Sequence, residues 1–161
     1  GCRGPTTGRT HHRTPNIITS LELDPAEMEK RNIHLQKKYA EIEENEVRFE
    51  ELHCEDAEYL IVAFGSCARI AQKAMEMARE EGIKVGLLRP ITLWPFPSKA
   101  IAARAAQVKG ILTVELNAGQ MVEDVRLAVE CKVPVEHFGR LGGIVPDPDE
   151  VITALKEKLI K

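Results

Sequence analysis

From residue 59 onward the chain alternates short apolar runs with amphipathic segments. Residues 59–64 form a continuous apolar run, which is expected of a strand buried on both faces. A Gly-Ser turn then leads into an amphipathic segment, and the alternation continues to the C-terminus. The pattern predicts strands at residues 59–64, 83–88, 111–116 and 133–138, each followed by a helix, with the last helix starting at an Asp-Pro-Asp-Glu cap, residues 147–150.

Strands that alternate with helices predict right-handed crossovers and a mostly parallel sheet. We therefore expect a three-layer α/β domain whose sheet has four to five strands, with helices on both faces. Pro134 indicates that the last strand lies at or near a sheet edge. Ligands of such sheets bind beyond the carboxyl ends of the strands, so the turns at that edge are the first candidates for function.

A long charged helix precedes this domain. Asp24 can cap the helix, Pro25 suits its first position, and the pattern extends to about Glu46. Its larger apolar residues form one narrow stripe, made by Met28, Leu35, Tyr39 and Ile42. A stripe this narrow needs another surface to cover it. That surface is either the chain's own C-terminal domain or a partner subunit or missing neighbouring domain.

Charge divides the chain into three predicted regions. Residues 1–21 carry three arginines and no acid, and we expect a flexible basic segment. Residues 22–58 have a net charge of -8 and form the acidic helical arm, while residues 59–161 form the α/β domain. The chain's formal charge of -3 gives no sign of nucleic-acid binding, and no apolar run approaches the roughly 20 residues of a membrane span.

The cysteines indicate the cellular compartment of the protein, and the first residue indicates whether the chain is part of a longer one. The four cysteines are scattered without a C-x-x-C pair, which favours a reducing cytoplasm and predicts no metal site or iron–sulfur cluster within the chain. The first residue is Gly1 rather than Met, so we expect a piece of a longer polypeptide.

Two turns at the carboxyl edge are candidates for anion binding or for a subunit contact. A Gly-Ser turn before a helix can hold an anion on free backbone N–H groups, although the segment matches neither nucleotide-binding glycine motif. Because the segment has only one glycine, we favour the alternative, a tight strand-to-helix turn that binds no ligand. The candidate residues of the two turns are Gly65, Ser66 and Arg69, and Asn117, Gly119 and Gln120.

The sequence contains no recognisable group of catalytic residues. Cys67 stands at a helix start, where a thiol pKa can be lowered, but it also lies on the buried stripe of that helix. Glu115 ends a buried strand, where it can serve either as a catalytic acid or as a cap for the next helix. We favour the structural interpretation of both residues and assign no catalytic residue to this chain.

The loop 89–97 is the most unusual segment. It contains three prolines, which fix a rigid path and present two of the chain's seven aromatic residues. A rigid aromatic loop suits a subunit contact better than a mobile lid. We predict an interface at Arg89, Trp94 and Phe96, with simple closure of the sheet end as the alternative.

These segments resemble a known family. The runs Y-L-I-V-A-F-G-S (59–66), G-I-K-V-G-L-L-R-P-I-T-L-W-P-F-P (82–97) and V-E-L-N-A-G-Q (114–120) look like a transketolase C-terminal-type domain. More narrowly, they resemble the C-terminal part of the thiamine-diphosphate-dependent 2-oxoacid:ferredoxin oxidoreductases. The stretch 16–46 is similar to the linker of the branched-chain (2-oxoisovalerate) alpha subunit.

The resemblance implies a complex that decarboxylates a 2-oxoacid on thiamine diphosphate with Mg²⁺, passes electrons through iron–sulfur clusters to ferredoxin and forms an acyl-CoA. The diphosphate-binding motif and the cysteine sets of the clusters are absent from this sequence. We therefore expect a non-catalytic assembly domain without a cofactor of its own. Its expected partners are the subunit's N-terminal pyrimidine-binding domain and the thiamine-binding and iron–sulfur subunits.

Two alternatives remain. One is a stand-alone α/β module that binds an anion at the Gly65-Ser66 turn. The other is the equivalent domain of a 2-oxoacid dehydrogenase beta component or of a transketolase.

Overall fold

The computed structural model describes residues 21–160, so the predicted basic segment lies almost entirely outside the described residues. The chain divides into two compact units, residues 1–39 and residues 40–161, which are described separately. The long helix α1, Pro25–Asn45, begins in the first unit and ends in the second.

Helix α1 begins where its sequence predicts. The carboxylate of Asp24 accepts hydrogen bonds from the backbone N–H groups of Ala26, at 2.8 Å, and Glu27, at 3.4 Å. This confirms Asp24 as the cap. None of the helix residues is buried, and the predicted stripe is half-buried at Met28, Leu35 and Ile42 and exposed at Tyr39.

The second unit contains the predicted α/β sheet. Its five strands are β1 (Phe49–Leu52), β2 (Tyr59–Ala63), β3 (Val85–Pro90), β4 (Gly110–Glu115) and β5 (Val135–Gly139). They are ordered β1-β3-β2-β4-β5, and all neighbours are parallel except β1, which is antiparallel to β3. The three-layer, mostly parallel fold and the edge position of β5 are confirmed.

Four helices cover the sheet. They are α2 (Gly65–Glu80), α3 (Ser98–Ala105), α4 (Met121–Val129) and α5 (Pro148–Leu155), and a π-helical turn follows α5. Helices α2 and α5 pack on one face of the sheet, and α3 and α4 pack on the other. Alternate strand residues point to opposite faces, so each pair of helices covers its own hydrophobic core. One core contains Ile61, Met75, Leu87, Leu112 and Leu155, and the other contains Leu60, Leu88, Ile101, Ile111 and Val125.

Strand β1 lies inside the region assigned to the helical arm, and the sequence pattern did not predict it. Its two glutamates face arginines of neighbouring elements. Glu50 is paired with Arg89 of β3, with Nη1 2.9 Å from Oε2. Glu51 accepts two hydrogen bonds from Arg104 of α3, at 2.9 and 2.6 Å. These long-range pairs hold an acidic segment at the sheet edge.

Candidate functional site

The carboxyl ends of the parallel strands β2, β3, β4 and β5 lie at one end of the sheet, which we call the carboxyl edge. Most of the predicted site residues lie there. The first turn is short, because α2 begins at Gly65 directly after β2 and Phe64. Gly65 has a φ of +56°, a conformation that glycine adopts without strain. Ser66 and Arg69 are exposed on the first turn of α2.

Glu115 is the best-connected polar residue of this edge. Its side chain is fully buried at the end of β4. Oε2 accepts hydrogen bonds from the N–H groups of Gln120, at 3.2 Å, and Met121, at 2.8 Å, and Oε1 accepts one from Val122 at 3.0 Å. These donors are the N–H groups of Gln120, the residue before α4, and of the first two residues of α4. The carboxylate therefore caps the positive end of the helix.

Two polar side chains of neighbouring strands complete this cluster. His137 of β5 places Nδ1 3.4 Å from Glu115 Oε1 and 3.3 Å from Thr113 Oγ1. The Thr113 hydroxyl, which is also buried, donates to the backbone oxygen of Glu136 at 3.3 Å. All of these partners belong to the sheet and its turn, so the cluster holds the end of the sheet together.

The predicted turn residues Asn117, Gly119 and Gln120 lie in the loop that connects Glu115, at the end of β4, to the start of α4. Asn117 Oδ1 accepts a hydrogen bond from the N–H of Gly119 at 2.7 Å, which closes a tight local turn. A Cβ at Gly139 would overlap the backbone oxygen of Asn117, so β5 can approach the turn only with glycine at that position. The turn is thus built by backbone contacts, while the Gln120 side chain is exposed.

The three described cysteines are free thiols, two buried in the hydrophobic cores and one exposed. Cys67 is buried under α2, and burial, with a smaller contribution from the charge of Glu115, raises its pKa. Burial also raises the pKa of Cys54 to about 11, and this thiol donates to the backbone oxygen of Leu87 at 3.4 Å. Cys131 is exposed. The raised pKa values oppose nucleophilic thiolate chemistry at Cys54 and Cys67.

The proline loop is fixed by contacts to the residue before β1. The N–H groups of Ile91 and Thr92 donate to the backbone oxygen of Arg48, and the Arg48 N–H donates to Thr92 Oγ1 at 3.0 Å. Trp94 is 55% exposed, whereas Phe96 is half-buried. Both line an open groove of about 950 Å³, whose wall includes Phe49, Val47, Glu43 and Glu44. The interface predicted at Arg89, Trp94 and Phe96 stays a prediction.

The sequence reading missed the loop that follows β5. Residues 140–147 present three exposed apolar side chains, those of Leu141, Ile144 and Val145. Apolar residues separated by two glycines have no periodicity, so no strand or helix signal marked them. The sequence signal that could have identified this exposed apolar loop is the absence of charged residues from positions 141–146.

Residues 21–160 show neither a candidate metal site nor a candidate membrane-spanning helix. No group of three or more His, Cys, Asp or Glu side chains in that range is arranged to hold a metal ion. No helix in that range is both long and apolar enough to cross a membrane.

Comparison with known proteins places these features in a family. Residues 57–151 match the family model described as pyruvate:ferredoxin oxidoreductase core domain II. The ketoisovalerate oxidoreductase subunit VorB of Methanothermobacter thermautotrophicus is 49% identical over 142 residues, which cover 88% of this chain and 40% of the relative. The 2-oxoglutarate synthase subunit KorA of Methanothermobacter marburgensis is 30% identical over 155 residues, covering 96% of this chain and 40% of the relative.

A solved structure agrees with this placement. The 2-oxoglutarate:ferredoxin oxidoreductase from Magnetococcus marinus, with 2-oxoglutarate, coenzyme A and succinyl-CoA bound, superposes with a TM-score of 0.72 and 26% identity. The match covers 84% of this chain and 24% of that one. The chain thus spans about 40% of the length of these two curated relatives.

Proposed function

Because this chain belongs to the pyruvate:ferredoxin oxidoreductase core domain II family, we propose that it is a non-catalytic assembly domain of a 2-oxoacid:ferredoxin oxidoreductase subunit. In this role the sheet is a rigid body that positions the domains carrying the chemistry. The complex would oxidatively decarboxylate a 2-oxoacid and form an acyl-CoA.

The main support for the proposal is that the Glu115 carboxylate is buried and hydrogen-bonded to backbone N–H groups. A general acid or base needs a free oxygen within reach of a substrate. Both oxygens of Glu115 already accept backbone N–H groups of α4, and the side chain has no exposed surface. Cys67, the other candidate for chemistry, is buried with a raised pKa.

The described residues also do not fit the cofactors of such a complex. Cys54 and Cys67 lie in different cores on opposite faces of the sheet, so they cannot ligate one iron–sulfur cluster. The groove beside the proline loop carries Glu43 and Glu44, whose charges oppose a diphosphate. We therefore assign thiamine diphosphate, Mg²⁺ and the iron–sulfur clusters to polypeptide outside this chain.

A branched-chain 2-oxoacid such as 2-oxoisovalerate is the substrate that the relatives favour. The identity to a ketoisovalerate oxidoreductase subunit is 49%, against 30% for a 2-oxoglutarate synthase subunit. The proposed partners are a pyrimidine-binding domain of the same subunit, the thiamine-binding and iron–sulfur subunits and, through them, ferredoxin. We place the assembly in the cytoplasm.

Thermal unfolding of the purified chain tests this function. Thiamine diphosphate with Mg²⁺ should change the melting temperature by less than about 1 °C, and no 2-oxoisovalerate should be oxidised in the presence of coenzyme A and ferredoxin. A ligand at 100 times its dissociation constant adds about 2.7 kcal/mol to the unfolding free energy. For a chain of this size, that gain would raise the melting temperature by roughly 5–10 °C.

Mg²⁺ alone and inorganic phosphate are the matched controls. An increase of several degrees with thiamine diphosphate, but not with Mg²⁺ alone, would overturn the proposal. An increase with phosphate that is lost in Ser66→Pro, which removes a backbone donor of the turn, would instead favour the stand-alone anion-binding module.

A further inference from the structure

The groove beside the proline loop has an aromatic lining. It is open to solvent, and its volume is about 950 Å³. Three of the chain's seven aromatic residues line it, and they are Phe49, Trp94 and Phe96. Phe49 is 38% exposed, and Trp94, the chain's only tryptophan, is 55% exposed. Pro95 and Pro97 of the same loop are buried, so the loop presents its rings on a fixed path.

One wall of this groove is acidic. The last turn of α1 contributes Glu43 and Glu44, and both side chains are exposed. Neither carboxylate forms an ion pair or a hydrogen bond with any residue that the structure describes, whereas Glu46, just beyond the helix, pairs with Arg48 at 3.4 Å. The lining also contains Lys99, in the first turn of α3.

The two glutamates stand at the end of a helix that is least suited to negative charge. The carbonyl end of a helix carries a partial negative charge, so cations stabilise this end and anions destabilise it. Helix α1 has no basic residue in its last turn, yet Glu43 and Glu44 lie there. A cation bound in the groove would relieve this repulsion. A local feature that opposes stability without compensation inside the chain is expected at a functional site.

An indole ring beside two carboxylates is suited to bind a guanidinium group. The face of an indole attracts cations, and the planar guanidinium of arginine stacks flat on it. Carboxylates accept the N–H groups of a guanidinium in pairs. A lysine ammonium can form the ion pair, but it has no plane to stack. Arginine is also enriched at protein interfaces, whereas lysine is depleted there.

We propose that this groove is the docking site for an arginine-bearing segment of another polypeptide. Its guanidinium groups stack on Trp94 and pair with Glu43 and Glu44. The apolar remainder of the lining, which includes Val47 and Phe49, covers the aliphatic stems of the arginines. The proposal does not depend on the proposed function, because it uses only the lining and the charge of the groove.

Trp94 emission reports directly on the groove, because Trp94 is the chain's only tryptophan. The probe is a peptide in which arginine alternates with glycine and which contains no aromatic residue. It should change the Trp94 emission saturably, with a dissociation constant below about 100 µM at low salt. Added salt should weaken binding, since the carboxylates are exposed. The corresponding lysine–glycine peptide should bind at least about 5-fold more weakly.

Charge variants of the chain test the wall of the groove. Glu43→Gln/Glu44→Gln should raise the dissociation constant of the arginine peptide at least about 10-fold and should melt no lower than the wild type. Glu76→Gln/Glu80→Gln is the matched control, because it removes two exposed carboxylates from α2, on the opposite face of the sheet from α3. Lys99→Gln should strengthen binding, since it removes a like charge from the lining.

Three results would overturn the guanidinium site. They are the absence of a saturable change at about 1 mM peptide, equal affinity for the arginine and lysine peptides, and equal weakening by the control pair. Other occupants would also overturn the proposal. Trp94 emission that changes when the chain alone is diluted would identify a second copy in the groove. Binding that appears only after removal of residues 1–20, which contain three arginines, would identify the chain's own segment. None of these outcomes bears on the binding of thiamine diphosphate.

Discussion

Replacing Glu115 with glutamine tests whether this carboxylate is a structural cap. The substitution preserves size and removes the charge. In the wild type, Oε2 accepts hydrogen bonds from the N–H groups of Gln120 and Met121, and Oε1 accepts one from the N–H of Val122. The glutamine oxygen can keep the first two bonds as weaker neutral ones. Its NH₂ group then meets the N–H of Val122, and two donors face each other in a buried site.

The cost can be estimated from these contacts. A buried donor left without a partner costs about 1–3 kcal/mol. Loss of the negative charge at the helix N-terminus costs roughly 0.5–1 kcal/mol more. We expect the free energy of unfolding to fall by about 2–4 kcal/mol, a large share of the roughly 5–15 kcal/mol of a typical domain.

Urea denaturation measures this loss, and Glu123→Gln is the matched control. Glu123 lies in the first turn of the same helix but is exposed. Its replacement should cost less than about 0.5 kcal/mol, and added salt should screen the effect. If Glu115→Gln is as stable as Glu123→Gln, with an unchanged m-value, the capping argument is wrong. Glu115 would then be a buried carboxylate available for chemistry.

Two further predictions follow from pKa values. The hydrogen bond from Arg104 lowers the pKa of Glu51, so this pair stabilises the fold above the ordinary value of 4.5 and the contribution is lost as pH falls through the lower folded value. Unfolding measured from about pH 3 to 6 should therefore depend less on pH in Glu51→Gln, and an unchanged profile would contradict the pairing. Cys54, with its pKa raised from 9.0 to about 11, should alkylate at least 100-fold more slowly at pH 8 than exposed Cys131 in peptide mapping, and equal labelling would contradict its burial.

The central strands were predictable because their environment is uniform. Strands β2 and β4 are buried on both faces, so β2 is continuously apolar and β4 is apolar except for Thr113 and Glu115, a pattern visible without the fold. Strand β1 was not predictable from its sequence, Phe-Glu-Glu-Leu. Its place at the sheet edge depends on Arg89 and Arg104, which lie 39 and 53 residues further along the chain.

The role of Glu115 illustrates a similar limit. Its position at the end of a buried strand indicated either a cap or a catalytic acid. The choice depends on where the chain returns after the Asn117 turn. Only the close approach of Gly139 to Asn117 and the start of α4 at Met121 bring the donor N–H groups onto the carboxylate.

The carboxyl edge shows why a familiar fold position need not carry chemistry. In an open α/β sheet, loops at this edge bind ligands when they present charges, donors or acceptors. Here the buried carboxylate and the engaged Arg140 satisfy partners within the chain, while the exposed loop residues are mainly apolar. The proposed assembly role would therefore use the area and shape of this edge. Such an edge suits contact with a protein surface, which is what the proposed assembly role requires.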